Sequence, residues 1–202
     1  MKLYYAKGAC SLVCRIVINE VKLPCEYESV DLRTKKTETG QDFFKINPKG
    51  SVPTLQVDEK EILTENAVIV QFLAEKAHAV SLLPPVGEFK RYHVLEWLNY
   101  VATEWHKGVG SLFNAQYPAE VKETVLIPAI TKKVQFVNHH LEQHRYLFGE
   151  QFTLPDAYLF VMMTWLVHFK FDLAQYPALE RYFKELLQHP SVKISLEQEG
   201  LG

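Results

Sequence analysis

The chain has 202 residues, of which 48% are hydrophobic and 23% charged, and its formal net charge is −2 at pH 7. This length suffices for one large or two small domains, and the charge predicts no nucleic-acid or membrane partner. We expect neither a membrane span nor a signal peptide, because no long apolar run occurs. The three cysteines, Cys10, Cys14 and Cys25, form no disulfide framework, which favours a reducing cytoplasm.

The first 80 residues alternate between strand-like and helix-like patterns. The predicted strands cover residues 2–6, 26–30, 54–57 and 61–64, and the predicted helices cover 10–21 and a stretch that opens at 64–66. Residues 32–47 are polar and irregular, with a loop or short helix near 41–45. This order predicts a small α/β domain with a mixed sheet.

The character of the sequence changes after the Pro- and Gly-rich stretch LLPPVG at residues 82–87. Helical patterns follow over residues 88–107, 119–145, 154–169 and 179–188. Pro128 is expected to start, kink or split the second, and the third is apolar nearly all round, which is typical of a central helix. Thr153 and Asp156 have capping-box spacing before it. We therefore predict a domain at 1–80, a linker at 81–87 and an all-helical domain at 88–202.

Residues 47–73 combine a Pro-started strand, a second short strand and an acidic helix start. The residue before Pro53 is restricted to an extended conformation. Glu65 would lie near the positive end of the following helix, where Thr64 or Asn66 could act as the cap. Two junctions between these elements leave polar groups that could bind a ligand. An ordinary strand–turn–strand followed by a capped helix explains the sequence equally well.

Cys10 follows a strand and a Gly turn and is predicted to open a helix. Unpaired backbone N–H groups and the positive helix end would both favour its thiolate, which predicts a reactive sulfur. The alternative is a small buried apolar residue, which is the preferred reading for Cys14 and Cys25. A Cys10–Cys14 disulfide would require backbone adjustment and is not expected.

Two groups of polar residues lie on predicted helices of the second half. Asn99, Thr103 and His106 are spaced i, i+4 and i+7, so they share a helix face that either lines a cleft or is solvated. His140 and His144 are spaced i, i+4, but no third ligand is evident, so we expect a solvated face and no metal.

Three segments of the chain together resemble one known family. The sequence NPKGSVPTL followed by TEN is similar to the glutathione-binding half of glutathione S-transferases. The segments KLYYAKGACSL and EWLNYVATEWHKG resemble the beta class of bacterial glutathione transferases. The resemblance extends over essentially the whole chain and implies an N-terminal thioredoxin-like α/β domain followed by a C-terminal all-helical domain. Two residues depart from the family pattern. At the position of Cys14 the family often has a small residue other than Cys, and at the position of Asn66 a Ser is common.

The resemblance assigns roles to residues in the first domain. In the family the Pro that corresponds to Pro53 is cis, and the backbone at Val52 pairs with the cysteinyl part of glutathione. Glu65 and Asn66 match the positions that receive the glutamyl end. Lys35 matches the residue that meets the glycyl carboxylate, with the adjacent Lys36 as the alternative.

The resemblance also implies which residues meet the glutathione sulfur. Cys10 matches a Cys that lies near the sulfur and can form a mixed disulfide with glutathione. His106 matches a His that points at the sulfur, and Asn99 lies near the ligand. The remaining implied neighbours are Thr103, Glu104 and Trp105.

The resemblance implies a cytoplasmic, homodimeric glutathione transferase that acts in detoxification. Glutathione would be its co-substrate, and its thiolate would be conjugated to small hydrophobic electrophiles without a metal. One alternative is a glutathione-dependent thiol–disulfide oxidoreductase that uses a Cys10–glutathione mixed disulfide. Another is a non-catalytic glutathione-binding or interaction protein of the same fold, although the presence of Cys10, Glu65 and His106 argues against a decayed site.

Overall fold

The computed structural model describes all 202 residues and forms two compact units. The first, here called the α/β unit, contains residues 1–80 and 190–202, and the second, the helical unit, contains residues 81–189. The segment 190–202 follows the helical region in the sequence, yet it packs with the α/β unit because its helix contacts the first helix of the chain.

The α/β unit is built on a five-stranded mixed sheet with the strand order β3-β2-β1-β4-β5. β1 is parallel to β2, whereas the pairs β1–β4, β4–β5 and β2–β3 are antiparallel. The predicted mixed sheet is therefore confirmed, and the structure adds the two-residue strand β3 in the stretch predicted to be irregular. The strands are β1 (Lys2–Tyr5), β2 (Glu26–Asp31), β3 (Lys36–Thr37), β4 (Thr54–Gln56) and β5 (Ile62–Thr64).

Nine helices accompany the sheet, of which α1, α2 and α9 belong to the α/β unit. α1 packs against both α2 and α9, and its apolar residues are almost fully buried. A 3₁₀ turn at Phe43–Lys45 matches the short helix expected near 41–45. The helices are α1 (Leu12–Val21), α2 (Asn66–Lys76), α3 (Phe89–Tyr100), α4 (His106–Gly110), α5 (Ala119–Val121), α6 (Ile127–Leu141), α7 (Leu154–His168), α8 (Pro177–Gln188) and α9 (Pro190–Gln198).

Two long predicted helices of the helical unit are interrupted by π-helical turns. Val101–Trp105 joins α3 to α4, and Lys122–Leu126 joins α5 to α6. The second turn has a local cause: Pro128 carries no N–H, so the carbonyl four residues earlier lacks its α-helical partner. No comparable cause is evident for the first turn, which immediately precedes His106.

α7 lies at the centre of the helical unit, as its apolar sequence predicts, and nearly all of its residues are buried. The predicted cap is also confirmed: Asp156 Oδ2 accepts hydrogen bonds from the Thr153 backbone N–H at 2.7 Å and from the Thr153 hydroxyl at 2.8 Å. α7 has 15 residues, and none of the helices combines the length and apolarity that crossing a membrane requires.

Candidate active site

Cys10 lies in the turn at residues 7–11, here called the Cys10 turn, between β1 and α1. The helix begins at Leu12 rather than at Cys10, because the Leu12 and Val13 N–H groups already donate to the carbonyls of Ala9 and Cys10. The helix end therefore offers the thiol fewer unpaired donors than expected from the sequence. The half-buried Cys10 Sγ instead donates to the Val52 carbonyl at 3.2 Å.

Val52 belongs to a tightly bonded loop that precedes β4. The Val52–Pro53 peptide bond is cis, as the resemblance implies. The buried Asn47 side chain donates to the Ser51 carbonyl at 2.8 Å and to the Thr54 hydroxyl at 2.9 Å. The loop thus presents the Val52 backbone in a fixed position beside the Cys10 thiol.

Lys35 is drawn to the same loop. Its half-buried side chain donates from Nζ to the Gly50 carbonyl at 2.7 Å, and its backbone has a φ of +56°. Lys36, the alternative left open by the sequence, is exposed on β3. The structure therefore brings Lys35 together with Val52 and Cys10 at one edge of the α/β unit.

Glu65 and Asn66 stand where β5 meets α2. Glu65 has a φ of +72°, an unfavourable conformation for a residue with a side chain. Its carboxylate pairs with Lys49 Nζ at 2.7 Å, and both side chains are more than half exposed, so the pair contributes little to stability. An exposed acid on a strained backbone is typical of a functional position rather than of a stabilising one.

Asn66 is buried, and its two amide atoms differ in their surroundings. Oδ1 accepts a hydrogen bond from Cys14 Sγ at 3.2 Å, whereas Nδ2 is buried without a hydrogen-bond partner. Burial raises the pKa of the Cys14 thiol well above its ordinary value, so this thiol remains a protonated donor. The two positions that depart from the family pattern are thus direct partners.

His106 begins α4 directly after the first π turn. Its Nδ1 lies 2.6 Å from the Tyr158 hydroxyl, and its ring centroid lies 5.3 Å from that of Trp165. Because the π turn closes on an i→i+5 bond, the α-helical spacing that aligned His106 with Asn99 and Thr103 no longer applies. Asn99 and Thr103 are exposed, whereas His106 is half-buried.

The other implied neighbours are both in the π turn. Glu104 forms an ion pair with Lys133 of α6. The Trp105 side chain is only 1% exposed and packs in the core of the helical unit. The Trp105 side chain thus lies inside the helical unit, while Glu104 remains at the surface with a charged partner.

Tyr158 is a partner of His106 that the sequence did not indicate. It lies on α7 and is buried, but its hydroxyl reaches Nδ1 of His106. The available signal was a phenol on an otherwise apolar helix, since a buried Tyr hydroxyl requires a partner.

An aromatic cluster extends from His106 along the helical unit. Phe113 is half exposed, and its ring centroid lies 5.2 Å from that of Trp165, 5.7 Å from that of His168 and 4.6 Å from that of Phe169. Such a cluster offers an apolar surface next to a polar imidazole.

Sequence comparisons identify relatives over the full length of the chain. Residues 8–76 match the family model of the glutathione S-transferase N-terminal domain, and residues 95–190 match that of the C-terminal domain. The chain is 41% identical to glutathione S-transferase GstA of Escherichia coli O157:H7 over 201 residues, covering 100% of both proteins. It is 34% identical to glutathione S-transferase GST-4.5 of Xanthomonas campestris pv. campestris, again with 100% of both covered.

Solved structures of bacterial enzymes share the whole fold. The ternary complex of BphK, a bacterial glutathione S-transferase, has a TM-score of 0.95 at 39% identity, with 100% of both chains covered. The beta-class glutathione S-transferase of Sphingomonas chungbukensis has a TM-score of 0.95 at 36% identity, also with 100% of both chains covered. The chain therefore belongs to the glutathione S-transferase family, within its bacterial beta class.

Proposed function

We propose that this protein conjugates the thiolate of glutathione to small hydrophobic electrophiles, with Cys10 and His106 beside the glutathione sulfur. The observation that carries the proposal is the 3.2 Å contact between Cys10 Sγ and the Val52 carbonyl. An extended peptide that pairs with the Val52 backbone would bring its own cysteinyl residue next to this thiol.

The charges around the loop at residues 47–53 suit the two ends of glutathione. Lys35 Nζ, held at the Gly50 carbonyl, would meet the glycyl carboxylate. Glu65 would receive the glutamyl ammonium group, and Asn66 would donate to the glutamyl carboxylate. A sphingomonad glutathione S-transferase solved in complex with glutathione, 36% identical to this chain at a TM-score of 0.94, supports the assignment of this tripeptide.

The reaction requires a thiolate and a site for its acceptor. Hydrogen bonds from Cys10 and His106 would stabilise the negative charge on the glutathione sulfur. The sulfur would attack the electrophilic carbon and form a C–S bond, while the leaving group departs with its electron pair. The aromatic cluster around Phe113 and Trp165 would bind the apolar acceptor. The substrate-binding roles proposed for Asn99, Thr103, Glu104 and Trp105 are those that the resemblance assigns.

A conjugation assay with glutathione and a chlorodinitrobenzene tests the proposal. Cys25→Ala is a matched control for Cys10→Ala, because both thiols are half-buried and each donates to a backbone carbonyl at 3.2 Å. We expect conjugation by the wild type and by Cys25→Ala at the same rate. Cys10→Ala should conjugate more slowly, because it lacks the hydrogen bond to the thiolate. The proposal fails if the wild type and Cys10→Ala are both inactive while glutathione still binds.

A second function, thiol–disulfide exchange, is favoured by the contrast between Cys10 and Cys14. Cys10 is half-buried, whereas Cys14 is fully buried and burial raises the pKa of its thiol, so Cys10 would act alone. Its thiolate would attack oxidised glutathione, form a Cys10–glutathione disulfide and release one glutathione thiolate. Mass spectrometry after treatment with oxidised glutathione, together with a disulfide-reduction assay, tests this. The absence of a glutathione adduct on Cys10 would exclude it.

We further infer a homodimer in the cytoplasm. The helical unit exposes Phe89, Tyr92 and Phe136, and the α/β unit exposes Phe44 and Val68, which are surfaces typical of an interface. All three cysteines are free thiols, in keeping with a reducing compartment. Light scattering coupled to gel filtration should give twice the mass of the chain for the wild type and the monomer mass for Phe136→Glu.

A further inference from the structure

Glu199 is a buried carboxylate that joins α1 to the turn in front of it. Its side chain is 0% exposed, and its Oε1 accepts a hydrogen bond from Arg15 Nε at 3.0 Å. Its Oε2 accepts a hydrogen bond from the Gly8 backbone N–H at 2.9 Å. Burial raises the pKa of Glu199, while the Gly8 hydrogen bond and the Arg15 charge oppose this rise.

Arg15 explains why a carboxylate is needed inside the α/β unit. Its guanidinium carbon lies 3.8 Å from the ring centroid of Tyr27 and 4.4 Å from that of Tyr5. Burial raises the pKa of Tyr27 to about 12, so this ring stays neutral at physiological pH. The guanidinium keeps its charge at every accessible pH, and a buried cation requires a counter-charge, which Glu199 provides.

The Gly8 contact connects this ion pair to the Cys10 turn. Gly8 has a φ of +68° and lies two residues before Cys10. A Cβ at Gly8 would lie 3.9 Å from both δ-carbons of Leu201, so the segment 199–201 covers the turn as well as bonding it. Apart from the Gly8 contact, the backbone hydrogen bonds of the turn are local, such as Ala9 N–H to the Ala6 carbonyl at 3.0 Å. Glu199 therefore anchors the turn to a distant part of the unit.

Stability alone is a weak reason for such an arrangement, because buried ion pairs can often be replaced by apolar residues without loss. Apolar residues could not, however, provide an acceptor for the Gly8 N–H. We propose that Glu199 is a positioning residue that holds the Cys10 turn, and with it the Cys10 thiol, in the conformation that meets the glutathione sulfur. The part of this proposal that concerns glutathione rests on the proposed function.

Two double variants separate the acceptor from the charge pair. Arg15→Met/Glu199→Leu removes both charges and the acceptor, whereas Arg15→Met/Glu199→Gln removes both charges but keeps an amide oxygen for Gly8. We expect the leucine variant to speed hydrogen exchange of the Gly8 amide at least about tenfold and to raise the Kd for glutathione about fivefold. The glutamine variant should retain both properties of the wild type.

Ser195→Ala is the control for a general loosening of α9. Ser195 accepts a hydrogen bond from Asn19 Nδ2 at 2.8 Å, so it also joins α1 and α9 but does not reach the turn. In Ser195→Ala the hydrogen-exchange rate of the Gly8 amide should equal that of the wild type, even if urea unfolding shows a loss of stability. If the leucine variant does not fold, Glu199→Gln replaces it. Arg15 and Gly8 bond different oxygens of Glu199, so an amide oxygen that pairs with the Arg15 charge leaves the NH2 group against the Gly8 N–H, and Gly8 exchange should again rise.

The proposal is overturned if Gly8 exchange and glutathione affinity in the leucine variant equal those of the glutamine variant. It is also overturned if Ser195→Ala changes Gly8 exchange as much as the loss of the acceptor does. The exchange measurement contains no glutathione. A failure of the proposed function would therefore appear as the absence of binding in the wild type, distinct from a failure of the positioning role.

Discussion

The Tyr158 hydroxyl lies 2.6 Å from Nδ1 of His106, and this contact joins the second turn of α7 to the first residue of α4. The phenol donates to Nδ1 in the tautomer that carries the ring proton on Nε2, and accepts from Nδ1–H in the other. In either tautomer the contact holds the orientation of the His106 ring.

Replacing Tyr158 by Phe should therefore impair the chemical step more than binding. We expect kcat/KM for conjugation to fall about tenfold, with the Kd for glutathione within about twofold of the wild type. Tyr146→Phe is the matched control, since it removes a hydroxyl bonded to Glu185 at 3.1 Å in the same unit. Equal losses of kcat/KM in the two variants would contradict the assigned role.

The Cys14–Asn66 contact predicts energetic coupling between these two positions. Cys14→Ala should leave both ends of the buried Asn66 amide without partners and lower the free energy of unfolding by about 1–3 kcal/mol. In the double variant with Asn66→Ser the loss should be smaller than the sum of the two single losses, by about 1 kcal/mol. Urea unfolding of all four proteins provides the measurement, and strictly additive losses would argue against coupling.

The Lys35–Gly50 contact favours Lys35 over Lys36 as the residue that meets the glycyl carboxylate. Lys35→Met should raise the Kd for glutathione about tenfold, because a charge-assisted hydrogen bond to the glycyl carboxylate is lost. Lys36→Met removes the same charge from an exposed strand and should leave the Kd within about twofold. Isothermal titration calorimetry at fixed ionic strength distinguishes the two. A larger effect at Lys36 would reverse the assignment.

Burial raises the pKa of Asp156 to about 6, against the opposing effect of its four hydrogen bonds. The folded protein then holds this proton more tightly than the unfolded chain, so the contribution is present below about pH 4 and lost as the pH rises through 6.

Relative to Asp156→Asn, the wild type should therefore lose unfolding free energy between pH 4 and about 7, on the order of 3 kcal/mol. The variant itself should be less stable at every pH, because its NH2 group must face either the two Thr153 donors or the Leu147 N–H and the Tyr182 hydroxyl. Chemical unfolding across this pH range measures the difference between the two proteins, and a difference that grows with pH would refute the assignment.

The elements with regular periodicity were predictable from the sequence, whereas the interruptions of that periodicity were not. The strands around Thr54–Gln56 and Ile62–Thr64 and the helix at Leu154–His168 carry the alternation or apolarity that burial requires. The π turn at Val101–Trp105 adds only one residue to a helical pattern, so no sequence signal separates it from a continuous helix. The strand Lys36–Thr37 is too short to show alternation.

Site residues were accessible to sequence analysis only where a local motif carried them. Cys10 and Val52 lie in segments that resemble family motifs, and the structure places them 3.2 Å apart. The sequence around Tyr158 predicts a core residue, because nothing in the pattern of one helix reveals that the hydroxyl contacts a residue of another helix. Glu199 is separated from Arg15 by 184 positions, and an acid in a polar stretch normally predicts a solvated surface.

The discontinuous composition of the α/β unit has a consequence for biosynthesis. Domains generally fold as they emerge from the ribosome, with the first domain complete before the next is made. Here residues 1–80 leave the tunnel before residue 199, whose carboxylate pairs with Arg15, has been synthesised. The α/β unit can therefore be completed only after the whole helical unit has been translated.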